Sequence, residues 1–147
     1  MAAAPPAHRC TVLVVEDDIE LRELLRIALT ADGYEVAAVE NGREAMHYLR
    51  SHADACIILL DLALPIMDGA QFRSAQLRDR ALAWIPLVVM SGSVDAARHA
   101  RELGARRLVR KPIDLDEVTN ALRFVGCCQA RPRQAAIRAV SSDQRGS

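Results

Sequence analysis

Net charge is the first thing this chain lacks: 19 Lys plus Arg stand against 19 Asp plus Glu over 147 residues. A chain without an overall field has no electrostatic pull toward nucleic acid or a membrane surface. It also has no apolar run near the roughly 20 residues that crossing a bilayer demands. Its start, Met1-Ala2-Ala3-Ala4-Pro5-Pro6, does not have the charged-then-apolar order of a signal peptide. A cytoplasmic protein with no membrane span is expected. Cysteines are few, and Cys10, Cys56, Cys127 and Cys128 show neither zinc-ligand nor CxxC spacing, so neither a disulfide nor a cysteine metal site is expected. Cys56, inside an apolar run, reads as a small core residue, and Cys127-Cys128 as helix-end packing or an exposed reactive pair. His8, His47, His52 and His99 are scattered without ligand spacing and read as solvated surface. Internal repeats are absent too. Lysine is the rarest basic residue: Lys111 is the only one in an otherwise all-arginine set. An ammonium is a compact point charge where a guanidinium is a wide planar fork, so the single exception suits a phosphoryl group.

What the chain does have is a regular alternation of strand-like and helix-like segments from about residue 11 to 126, which argues for one α/β domain on a parallel sheet. The length allows a single core with short extensions. Strands are expected at 11–15, 34–39, 55–60, 86–90 and 107–110. Each is followed by a helix, and Asp17 or Asp18, Asn41 and Ser93 are the expected caps for the first, second and fourth. Asp114 and Glu117 are placed for a capping box on the fifth. In the first helix Leu21, Leu24, Leu25 and Ala28 are expected on the buried face, and in the fourth Ala97, Ala100 and Leu103. Residues 1–10 read as a short extension and 127–147 as a flexible basic tail.

The strand ends carry the chemistry. Val12-Leu13-Val14-Val15 opens into Glu16-Asp17-Asp18, Cys56-Ile57-Ile58-Leu59-Leu60 into Asp61, Pro86-Leu87-Val88-Val89-Met90 into Ser91, and Leu108-Val109-Arg110 into Lys111-Pro112. In an open parallel sheet the carboxyl ends of strands converge on one crevice. Acids, a hydroxyl and an ammonium then meet at Asp61. Glu16, Asp17 and Asp61 are oxygen donors of the kind magnesium takes, and their mutual repulsion calls for a compensating cation. Asp18, farther into the helix, reads as its cap. With Asp61 as nucleophile, a metal, Lys111 and Ser91 would neutralise an arriving phosphoryl group, and Gly92 leaves access open.

With Glu16-Asp17, Asp61 followed by Leu64-Pro65-Ile66-Met67-Asp68-Gly69, Ser91-Gly92 and Lys111-Pro112 in this order and spacing, the chain resembles the receiver domain of two-component response regulators over roughly residues 11–126. The resemblance implies a flavodoxin-like (βα)5 three-layer sandwich with strand order 2-1-3-4-5. It also implies magnesium-dependent transfer of phosphate to Asp61 from a histidine kinase or a histidine phosphotransfer protein. By the same resemblance Asp17 and Asp61 bind Mg2+ directly, Glu16 acts largely through water, and the backbone carbonyl of Ala63 completes the protein ligands. Ser91 and Lys111 bind phosphoryl oxygens, and Ser91 and Leu108 occupy the switch positions. Leu108 departs from the pattern, because that place usually carries an aromatic ring that turns inward. Ile113 replaces a frequent Phe.

The expected function is that of a stand-alone receiver, a signalling module rather than an enzyme, acting on a downstream protein. Two alternatives are a degenerate receiver used as a constitutive interaction module, which Leu108 suggests, and an aspartyl-phosphate phosphohydrolase. The second lacks the general acid such enzymes place two residues after the nucleophile, where this chain has Ala63. A nucleic-acid role would rest on Arg131, Arg133, Arg138 and Arg145 alone and is not expected. Nothing in the pattern fixes an oligomeric state.

Overall fold

The computed structural model describes residues 10–64 and 67–126. Strands β1 (Thr11–Val15), β2 (Glu35–Val39), β3 (Ala55–Asp61), β4 (Leu87–Ser91) and β5 (Arg107–Arg110) alternate with helices α1 (Ile19–Ala31), α2 (Gly42–Ser51), α3 (Gly69–Arg78), α4 (Ala96–Leu103) and α5 (Leu115–Val125). The sheet order is β2-β1-β3-β4-β5, and every pair is parallel. This is the expected flavodoxin-like α/β sandwich. All seven residues of β3 are buried, which is why its sequence is an unbroken apolar run ending in a carboxylate.

Side chains alternate across the pleat and so build two separate core layers. On one face Val12, Val14, Ile57, Leu59, Val88 and Met90 pack against Leu25 and Leu29 of α1 and Val118 and Leu122 of α5. On the other, Leu13, Val15, Ile58, Leu60, Leu87 and Val89 meet Met46 and Leu49 of α2, Phe72 of α3 and Ala100 of α4. Burying each large side chain contributes ~1.5–3 kcal/mol. The sum holds the sheet rigid, and with it the ends of its strands.

Several local expectations need correction. Leu24 is 48% exposed, because the buried face of α1 runs through Leu25 and Leu29 and leaves Leu24 beyond its edge. In α4 Ala96 and Ala100 are buried, whereas Ala97 faces solvent. Ser93 does not cap that helix. Its hydroxyl accepts from the Asp95 N–H at 3.0 Å in a tight turn, and Asp95, at the N-cap, makes no side-chain cap bond. Asp114 caps α5 alone, through the Asp116 N–H at 2.9 Å. A full capping box forms on α3 instead, between Asp68 and Gln71. Asp18 and Asn41 cap α1 and α2 as expected, and Gly104, with φ +70°, ends α4. Cys10 is disulfide-bonded, against the expectation of unpaired cysteines; spacing along the chain does not reveal which thiols a fold brings together. Cys56 is a free thiol buried in β3. His8, Pro65, Ile66, Cys127, Cys128 and the basic tail with Arg131, Arg133, Arg138 and Arg145 lie outside the described residues.

One polar strut was not legible. Arg73 of α3 is 9% exposed and donates to the carbonyls of Leu103 at 2.8 Å and Gly104 at 3.4 Å, and to the Gln76 side chain at 2.8 Å. Gln76 in turn donates to the carbonyls of Leu82 and Ile85. A guanidinium thus satisfies carbonyls at the end of α4, where a cation also complements the helix dipole.

Candidate functional site

Parallel register carries Glu16, Asp61, Ser91 and Lys111 to the same edge of the sheet. Asp61 ends β3 opposite Met90, and Ser91 ends β4 opposite Arg110. The Lys111 N–H then donates to the Ser91 carbonyl at 3.0 Å, which ties the lysine's backbone to the end of β4. The Lys111–Pro112 peptide is cis.

The Lys111 side chain turns into the acidic cluster. Its Nζ donates to Asp61 Oδ2 at 3.0 Å and lies 3.2 Å from Glu16 Oε1. The second contact has the distance of an ion pair without the alignment of a hydrogen bond, so Glu16 Oε1 is buried with no hydrogen-bond partner. The other Glu16 oxygen, Oε2, accepts from the Asp18 N–H at 3.1 Å. Asp61 Oδ1 accepts from the Ala63 N–H at 3.0 Å. Asp17 is exposed, yet one carboxylate oxygen each from Glu16, Asp17 and Asp61 lies within 4.8 Å of the others. Asp18 caps α1 through the amides of Glu20 and Leu21.

Burial dominates the electrostatics. Glu16 is pushed up from 4.5 to about 7, mainly by loss of water, with the Asp61 charge adding to the rise; the Asp18 amide and Lys111 oppose it. Burial pulls Lys111 down, but its hydrogen bond to Asp61 and the charges of Asp61 and Glu16 together outweigh that and hold it above its ordinary value. The ammonium is therefore charged at neutral pH.

Of the residues expected at the site, Glu16, Asp17, Asp61 and Lys111 come together as one constellation. Ser91 is adjacent and buried, and its hydroxyl accepts from the Ser93 N–H at 3.1 Å, leaving its own O–H proton available. Ala63 contributes its amide, a role that no side-chain pattern could signal. Leu108 is half-buried on β5 opposite Val89 and packs into the core layer under α2, α3 and α4. Arg22 was not foreseen: its guanidinium donates to the Glu16 carbonyl at 2.9 Å and braces the β1–α1 turn.

The family model described as response regulator receiver domain matches residues 12–123. The chain is 32% identical over 108 residues to regulatory protein AtoC of Escherichia coli, covering 73% of this chain and 23% of that protein. It is 31% identical over 117 residues to the phosphate regulon transcriptional regulatory protein PhoB of Pseudomonas aeruginosa, at 78% and 51% coverage. With sporulation initiation phosphotransferase F of Bacillus subtilis it shares 28% over 113 residues, at 76% and 90% coverage. The chain thus spans about a quarter to a half of the first two of these curated relatives. Among solved structures it superposes with TM-score 0.74 and 24% identity on chemotaxis response regulator CheY4 of Vibrio cholerae, covering 80% of this chain and 99% of that one. It superposes with TM-score 0.68 and 28% identity on the signal receiver domain of a signal transduction histidine kinase from Syntrophus aciditrophicus, at 80% and 92%. The chain therefore belongs to the response regulator receiver domain family, signalling modules of two-component phosphorelays in which aspartyl phosphorylation and magnesium binding are typical.

Proposed function

We propose that Asp61 accepts a phosphoryl group from a histidine kinase or a histidine phosphotransfer protein and that the phosphorylated chain signals through a partner protein. The observation that carries this reading is the engagement of the buried Asp61 carboxylate by the chain's only lysine, at 3.0 Å. The attacking oxygen sits at the end of a rigid strand. As it forms an O–P bond, the N–P bond of the phosphohistidine breaks and its electron pair stays on the ring nitrogen. Lys111 passes from the carboxylate to a phosphoryl oxygen, and the Ser91 hydroxyl donates its proton to another. Transfer of this kind depends on positioning and on charge stabilisation more than on covalent work by the protein.

The donor set fits magnesium. Glu16, Asp17 and Asp61 gather three hard oxygen donors, and the Glu16 oxygen without a hydrogen-bond partner is one that a cation would satisfy. These three carboxylates, with the Ala63 carbonyl, are the residues that would hold it. When bound, magnesium supplies positive charge beside Asp61 that offsets the charge of the incoming phosphoryl group.

Incubation with acetyl phosphate and magnesium tests the reading. One phosphate per chain is expected, and none in Asp61→Asn; equal labelling of that variant would refute it. Leu108 favours a second reading, a constitutive interaction module, since its side chain offers no inward-turning ring. Amide exchange with and without beryllofluoride separates the two. Changed protection around α4 and β5 supports the switch, and identical maps support the constitutive module. Among the described residues no helix is long and apolar enough to cross a membrane. We place the module in the cytoplasm, where kinase domains and phosphotransfer proteins are found.

A further inference from the structure

The chain has four cysteines, and the phosphoryl site uses none of them. Cys10 is disulfide-bonded, whereas Cys56 is a free thiol buried in β3. That leaves the adjacent Cys127 and Cys128 to supply the partner of Cys10. The fold brings the two ends of the domain to one edge of the sheet: all strands are parallel and each helix runs back along the strand before it, so α5 ends where the strands begin. Cys10 immediately precedes β1, and its carbonyl accepts the Glu35 N–H at 2.9 Å. It packs in the same core layer as Leu122 and Val125 from the last turn of α5. At this edge Asp32, at the end of α1, meets Arg123 of α5 at 3.3 Å.

Gly126, with φ +65°, stops α5, and Cys127 follows one peptide later. A disulfide needs Cα atoms within about 7 Å of each other, so the partner of Cys10 has to stand at this edge, and the residues directly after α5 start from there. The crosslink closes a loop of roughly 120 residues, and restricting so long a loop in the unfolded chain is where a disulfide stabilises most. In the cytoplasm, where we place the module, thiols are held reduced, and disulfides that do form are mostly transient and redox-sensing. A bond between these ends therefore marks a site that opens and closes.

We propose that Cys10 and one of the pair Cys127 and Cys128 form a thiol–disulfide site, through which peroxide locks the chain after α5 to the start of β1 and a cellular dithiol releases it. In the oxidising direction hydrogen peroxide converts one thiolate to a sulfenic acid with loss of hydroxide. The second thiolate attacks that sulfur and displaces another hydroxide, so two thiols and one peroxide give one disulfide and two waters. In the reducing direction a dithiol attacks the bond, forms a mixed disulfide and releases one protein thiolate; its second thiolate then displaces the other, and the dithiol leaves as a disulfide. Thr11, next to Cys10, pairs with Ala55 at the start of β3, whereas Asp61 ends that strand about 20 Å away. The site is thus separate from the phosphoryl site, and the proposal stands independently of Asp61 accepting phosphate.

The test traps the thiols of the full chain in intact cells that produce it, by acid quench and alkylation, before and after a pulse of hydrogen peroxide, and maps linked peptides by mass. Cys10 is expected reduced before the pulse, linked to the peptide carrying Cys127 and Cys128 after it, and reduced again once the peroxide is consumed. In the purified oxidised chain, a dithiol should raise the thiols alkylated under denaturing conditions from two to all four and lower the melting temperature by at least about 5 °C. Cys10→Ser should melt at one temperature with or without the dithiol, and Cys56→Ala should keep the link. The proposal is overturned by a bond already complete in unstressed cells, which would make it a permanent staple, or by no link after the pulse. It is equally overturned by Cys10 linking to Cys56 or to a second chain, or by equal melting temperatures of the oxidised and reduced chains.

Discussion

Glu16 gives the sharpest physical test of the acidic site, because it is wholly buried and its pKa is raised from 4.5 to about 7. A raised folded value means that the fold favours the protonated form. The stability this proton contributes is fully present below 4.5 and is lost as pH rises through about 7. The rise corresponds to roughly 3 kcal/mol in total, most of which falls between pH 5 and pH 8. Glu16→Gln removes the charge while keeping an acceptor for the Asp18 N–H, now bonded at 3.1 Å. Urea denaturation in a chelator, at steps from pH 5 to pH 8, should therefore show the variant gaining on the parent by about 2 to 3 kcal/mol across that window. Titrating groups remote from Glu16 cancel in the difference, and the coupled Asp61 and Lys111 are part of the effect being read. Magnesium added at pH 8 should stabilise the parent far more than the variant. Parallel pH profiles, or equal magnesium stabilisation of both chains, would refute the reasoning that desolvation of Glu16 drives this site toward a cation.

Further outcomes follow from the same geometry. Lys111→Met should leave the fold intact and cut acetyl phosphate labelling of Asp61 by about 100-fold or more, read by intact mass against time, because the charge 3.0 Å from Asp61 is gone. Phe72→Ala, at a fully buried side chain, should cost about 3 to 5 kcal/mol in urea denaturation. Arg73→Ala strips partners from the Leu103 carbonyl and from Gln76, and should cost about 3 kcal/mol with faster amide exchange confined to α4 and the turn after it. Gly104→Ala places a side chain at φ +70° and should cost about 1 to 2 kcal/mol in thermal or urea unfolding.

Fold class and site were legible for one reason: both are written in short-range patterns. Alternating apolar runs set the strands, and the residue that breaks each run stands at a strand end, so the convergence of Glu16, Asp61, Ser91 and Lys111 is written in the sequence pattern. Errors fell where a local pattern competes with geometry. Ser93 looked like a helix cap, yet its hydroxyl closes a turn before α4 begins. Leu24 looked like a core residue, yet the arc of α1 that meets the sheet is too narrow to include it.

By itself the sequence determined the parallel α/β sheet, the family and the set of acids and lysine at the strand ends, because hydrophobic period and strand-end position are properties of neighbouring residues. Only the tertiary structure decided how those groups feel one another. The depth of burial that raises Glu16, the backbone amide of Ala63 on Asp61, and the hold of Arg73 on carbonyls about 30 residues away arise from what packs around each atom. Desolvation and hydrogen-bond geometry are set by contacts between segments far apart in the chain, and those exist only once the sheet has assembled.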